Sequence, residues 1–85
     1  MMPQPHQVKP FQITAGRALL GWSISDLSSV SGVSVASIRR AEAAIDESPL
    51  KPTDTLKLLY AMGASGVVFT RDLSRIGVAL DLRKR

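Results

Sequence analysis

The chain has 85 residues, with 11 lysines and arginines against 7 aspartates and glutamates, for a formal net charge of +4. That length supports one domain with one modest core, burying about 60–65% of the unfolded surface, and the basic balance favours polyanionic partners without requiring them. Cysteine is absent, which excludes disulfides, thiolate catalysis and thiolate zinc sites; with no apolar window of about 18 residues and no basic-then-apolar leader, the expectation is a cytoplasmic protein without membrane span or signal peptide.

Residues 1–9, MMPQPHQVK, hold Pro3, Pro5, a lone His6 and little apolar content, so they read as a disordered arm that cannot offset the entropy of ordering. From Pro10 the pattern changes. Proline at a first helical position wastes no N–H, and Phe11, Ile13, Ala15, Ala18, Leu19 and Leu20 follow at helical spacing, which predicts a helix to about Leu20 stopped by Gly21. Ser23 followed by Asp26 is a carboxylate version of the capping box, opening a second, two-turn helix through Leu27 and Val30 to Gly32. Ser34 caps a third helix over Val35–Ile45, ended by the acidic Asp46 and Glu47 and by Pro49. Thr53 is the expected cap of a fourth helix through Leu56, Leu58, Leu59, Tyr60 and Met62, closed by Gly63 and Gly66. Val67, Val68 and Phe69 form a β-prone run, and the alternation in VALDLR, Val78–Arg83, predicts a second strand, so that residues 67–85 form a hairpin with a basic tail.

Two short helices separated by Gly32, Val33 and Ser34 have the dimensions of a helix-turn-helix, whose second helix is offered to a major groove. On that helix Val35 shares a side with Arg39 and Ala36 with Arg40, while Ser37, Ile38, Ala41 and Ile45 face the other way. One side is apolar; the other is short and then cationic. Small residues permit close approach to base edges and phosphates, and arginines a turn later reach guanine O6 and N7 or a flanking phosphate. The free N–H groups at the start of the helix also suit a phosphate. Spacing alone leaves this reading level with the plainer one, a solvated helix face.

The run from Gln12 to Glu42, QITAGRALLGWSISDLSSVSGVSVASIRRAE, resembles the Cro/C1-type helix-turn-helix, also called the XRE family, through A-L-L-G-W-S, Leu27, G-V-S, Ile38 and Glu42 at these spacings. KPTDTLKLLYAMGASGVVF and the distal VALDLRKR resemble the family's later elements more loosely. The resemblance implies a mainly α, lambda-repressor-like bundle of four to five helices over residues 10–66 with a small C-terminal hairpin. It implies that Arg17 and Glu42 form a structural ion pair, and that Ser23, Ser34, Val35, Ala36, Arg39 and Arg40 lie at double-stranded DNA. Arg40 is then the candidate for a bidentate guanine contact, Val35 and Ala36 for thymine methyls, and Ser23 for a phosphate as well as a cap. Ile24 stands where the family commonly has a glutamine that anchors the DNA backbone, Ser28 replaces a small alanine, and Ala44 replaces a glycine that often ends the helix, which implies a longer third helix.

Trp22 reads as a core plug beneath the turn, and His6 has no second ligand in view. Asp46 and Glu47 cover a helix end. Lys9, Arg83, Lys84 and Arg85 are either further phosphate contacts or solvated basic ends. Val67, Phe69, Val78, Leu80 and Leu82 carry too much apolar surface for a free-standing hairpin; it either folds back on the fourth helix or pairs with a second chain, and the resemblance favours a homodimer. The expected function is a sequence-specific transcriptional regulator, most simply a repressor, reading a near-palindromic operator without cofactor, metal or enzymatic activity. A partner protein could regulate it. The competing expectation is a protein-interaction module, antitoxin-like or an anti-activator, that keeps the fold and has lost its operator.

Overall fold

The computed structural model describes residues 8–45, 48–72 and 74–84, and these build four helices and one hairpin. The elements are α1 (Pro10–Leu20), α2 (Ile24–Ser31), α3 (Val35–Ala43), α4 (Pro52–Ala64), β1 (Val67–Arg71) and β2 (Ile76–Leu80), followed by a single 3₁₀ turn at Leu82–Lys84. The mainly helical fold with a C-terminal antiparallel hairpin agrees with the fold class expected from the sequence.

Local chemistry sets most boundaries. Gly21 takes the left-handed conformation at φ 69°, which lets its own N–H and that of Trp22 close the carbonyls of Ala18 and Arg17. At the start of α2 the Ser23 hydroxyl accepts from the Asp26 N–H at 3.0 Å while the Asp26 carboxylate accepts from the Ser23 N–H at 2.9 Å, the reciprocal box the sequence announced. Gly32, at φ 81°, turns the chain in a conformation costly to any residue with a Cβ, and Ser34 then caps α3 by accepting from the Ser37 N–H at 3.1 Å.

Three expected boundaries are corrected. The third helix stops at Ala43, where Ala44 is extended at ψ 149°, so it is not the longer helix that Ala44 implied; Ile45 is 89% exposed and does not join the inner face. The fourth helix is entered at Lys51 instead of Thr53, since Pro52 sits at the first helical position, where its missing N–H costs nothing. The second strand is Ile76–Leu80, not Val78–Arg83. Asp72 explains that shift: its Oδ1 accepts from the Ser74 and Arg75 N–H groups at 2.8 and 2.7 Å, and its own N–H donates to the Arg75 carbonyl, an Asx-type turn that fixes the pairing Phe69↔Val78 and Arg71↔Ile76.

Ile13, Leu27, Ile38, Leu58, Leu59 and Met62 are fully buried between the four helices, each contributing about 1.5–3 kcal/mol by leaving water. Gly16 brings α1 close to α4 and β1: a Cβ there would lie 3.0 Å from Met62 Sδ and 3.3 Å from Val67 Cγ1. The hairpin lies chiefly on α1, with β1 also against α4. Val67 and Phe69 are 4% and 5% exposed inside the chain's own core, so these two members of the expected dimerisation set are not available to a second chain. Val78 and Leu80 are half-buried against the same core, and only Leu82, at 76% exposure, projects from it. Val8, expected in the arm of residues 1–9, is instead buried in the core; residues 1–7 lie outside the described residues. No helix of the described residues is long and apolar enough to cross a membrane.

Candidate nucleic-acid interface

The side of α3 turned inward is held by both packing and charge. Ile38 and Ala41 are fully buried. Glu42, one residue further on, receives Arg17 in a two-point bond, Nη2 to Oε1 at 2.9 Å and Nε to Oε2 at 3.0 Å, and Thr14 Oγ1 donates to Oε1 at 3.0 Å. Arg17 Nη1 also donates to the Trp22 carbonyl at 2.9 Å, so one guanidinium ties α1 to α3 and to the entry of α2. The pair is 20% and 10% exposed. The hydrogen bond to Glu42 raises the Arg17 pKa above its ordinary value, partial burial opposes the rise, and the Glu42 charge adds to it; Arg17 therefore stays ionised. The resemblance implied this pair, and its geometry sets how far α3 stands off α1.

The outer side carries no such commitments to the body of the protein. Ser34, Ala36, Arg39 and Arg40 are exposed and Val35 is half-buried. Arg39 has no hydrogen-bond or ion-pair partner among the described residues. Arg40 touches only its own helix, donating from Nη2 to Ser37 Oγ at 3.2 Å. The small residues thus precede the cations along one edge, with Ser34 opening the helix as its cap. Ser23 is exposed at the N-terminus of α2, its oxygen used by the cap and its hydroxyl hydrogen unassigned among the described contacts.

Ile24, the main departure from the resembled pattern, packs partly buried against the core, as does Trp22. An isoleucine there stabilises the seat of α2 and offers no polar group to a ligand. Arg83 is bound to Asp81 through Nε–Oδ1 at 3.1 Å and Nη2–Oδ2 at 3.2 Å, which makes it a weak candidate for phosphate. Asp46, Glu47, His6 and Arg85 lie outside the described residues.

Two residues have structural consequences that the sequence pattern alone does not bring out. Gln12 is buried; its Nε2 donates to the Gly77 and Thr70 carbonyls at 2.8 and 3.4 Å and its Oε1 accepts from the Lys9 N–H at 2.9 Å, fastening the hairpin to the start of α1. The available signal was a glutamine three residues past a helix entry, the position from which a side chain reaches back to the cap. Ser37, expected on the inner face, is instead half-exposed and bonded to Ser34 and Arg40. The spacing of Ser34, Ser37 and Arg40, three residues apart each time, carries that contact.

A separate open groove of about 380 Å³, mainly apolar, runs between the end of α2 and α4, lined by Val30, Lys57, Tyr60 and Ala64 among others. Comparison with models of known protein families finds none that matches the chain, and a search of curated proteins finds no significant match.

Proposed function

We propose that this protein is a sequence-specific double-stranded DNA-binding regulator that presents α3 to the major groove and acts as a homodimer, most simply as a repressor that blocks polymerase. The observation that carries the reading is the asymmetry of α3: its inner side is fixed by Ile38, Ala41 and the Arg17–Glu42 pair, while Ala36, Arg39 and Arg40 are exposed with Val35 half-buried beside them. A helix of this diameter fits the major groove, short side chains allow its leading edge to approach, and an arginine fork can bond guanine O6 and N7. Ser23 and the N–H groups at the start of α3 add phosphate contacts of the kind that fix register. The resemblance to Cro/C1-type regulators supports the same assignment of residues.

The chain's size is compatible with a dimer on one operator. The chain measures 29 × 29 × 19 Å between Cα extremes, so two copies in contact can place their third helices about one helical turn of DNA apart, about 34 Å, on a near-palindromic operator. Val68 in the hairpin and Leu82 in the 3₁₀ turn after it are apolar side chains left exposed for such pairing.

One observation favours the second reading, a protein-interaction module. The α2–α4 groove, with Tyr60 and Val30 exposed beside it, is apolar surface that DNA binding does not use. Affinity for a promoter-derived duplex and for a scrambled duplex, each over a series of salt concentrations, separates the two. The regulator binds the first duplex preferentially with a steep salt slope and loses that preference on Arg40→Ala; equal, weak binding to both duplexes supports the interaction module.

A further inference from the structure

The Arg40 guanidinium does not hang free from α3. It bends back along the helix, and Nη2 donates to Ser37 Oγ at 3.2 Å. Ser37 is in turn joined to Ser34, whose oxygen lies 2.9 Å from Ser37 Oγ and accepts the Ser37 N–H at 3.1 Å. The helix cap, a second hydroxyl one turn later and the arginine thus form one continuous chain along the exposed edge, anchored at its beginning by the cap that α3 requires anyway. This arrangement acts on the arginine in three ways. Ser37 narrows the rotamers open to a long, entropy-rich side chain. The guanidinium is drawn toward the N-terminal end of α3, the end that enters a groove first. One of its five N–H donors is occupied, which leaves enough for a two-point bond to an acceptor pair such as guanine O6 and N7.

Resting on the DNA-binding reading above, we infer that Ser37 is a positioning residue for base recognition: it holds the Arg40 fork in its reading orientation and thereby sets the preference at the base pair Arg40 contacts. Ser37 makes this contribution through Arg40, so its effect is confined to that base pair and vanishes when Arg40 is removed. The contribution of one exposed neutral-to-charged hydrogen bond corresponds to about a three- to tenfold change in discrimination.

The test uses the full chain and a duplex pool randomised over about 20 base pairs, the length of two adjacent major-groove half-sites. Binding preferences are read position by position for the wild type, Ser37→Ala, Ser37→Thr, Arg40→Ala and the double variant Ser37→Ala/Arg40→Ala. The expected result is that Arg40→Ala erases preference at one base pair per half-site, Ser37→Ala reduces preference at that same pair about three- to tenfold, Ser37→Thr restores it, and the double variant matches Arg40→Ala. The inference is overturned if Ser37→Ala leaves the preference intact, weakens all sequences equally, or acts as strongly in the Arg40→Ala background. A wild-type protein that selects no sequence overturns the DNA-binding reading itself, and with it this inference; selection by the wild type with an inert Ser37→Ala overturns the inference alone.

Discussion

The two sides of α3 differ in what holds them. On the inner side every group has a partner within the chain: Ile38 and Ala41 are packed away from water, and Glu42 accepts from Arg17 twice and from Thr14 once. On the outer side the same helix presents Val35, Ala36, Arg39 and Arg40, of which Arg40 bonds only to a neighbour on its own helix. Folding therefore accounts for the inner residues completely and for the outer ones hardly at all. Under the function proposed above, this basic edge is the surface that would meet a duplex.

That contrast can be broken by substitution. The largest effect is expected from Ile38→Ala, which opens a cavity beneath α3 and destabilises by about 2–5 kcal/mol in denaturant titration. Arg17→Ala leaves the partly buried Glu42 carboxylate without its partner; partial exposure softens the loss to about 2–4 kcal/mol, and Glu42→Ala should behave alike. Gln12→Ala removes the bonds to the Lys9 N–H and the Gly77 carbonyl and costs about 1–3 kcal/mol. By contrast, Arg39→Ala and Arg40→Ala stay within about 0.5 kcal/mol of wild type in stability while DNA affinity falls. If Arg40→Ala lowered the melting temperature as far as Glu42→Ala does, the distinction between the two sides would be wrong.

The smallest effect concerns pH. Backbone N–H groups of Ser74 and Arg75 hold the Asp72 carboxyl below its ordinary pKa, with the Ser74 hydroxyl adding to the shift against a small opposing desolvation. A lowered folded-state pKa stabilises fully above the unfolded value of about 3.9 and is lost as pH falls through the folded value. Acidification below about pH 4 should therefore loosen the hairpin turn, seen as lower protection of the residue 74 and 75 amides relative to their intrinsic exchange rates at each pH, and Asp72→Asn should remove that particular pH dependence.

The legible and illegible parts of the sequence separate for physical reasons. Glycine turns and serine caps are decided by a few adjacent atoms, so Gly21, Gly32, Ser23 and Ser34 all take the places their chemistry announces. The end of α3 and the register of β2 depend on distant contacts: whether Ile45 meets a core, and how the Asp72 turn phases the strands. Periodicity shows that Val67 and Phe69 must be covered without naming the cover, and α1, brought close through Gly16, is that cover. Helical spacing alone predicts the exposure of Ala36, Arg39 and Arg40, whereas Val35 is half-buried. Spacing misplaces Ser37 because this residue sits between the two faces, where a hydroxyl with an arginine three residues later is drawn outward.

The most direct measurement is a titration of the isotope-labelled full chain with its preferred duplex, following backbone amide shifts and arginine side-chain signals. If α3 reads DNA, the largest changes fall on residues 23, 34–37, 39 and 40 and on the Arg39 and Arg40 guanidinium groups, while Ile38, Ala41 and the Arg17–Glu42 pair keep their environment apart from through-helix effects. Changes centred instead on Val30, Tyr60 and Ala64, or a duplex that leaves the α3 signals untouched at saturation, would contradict it.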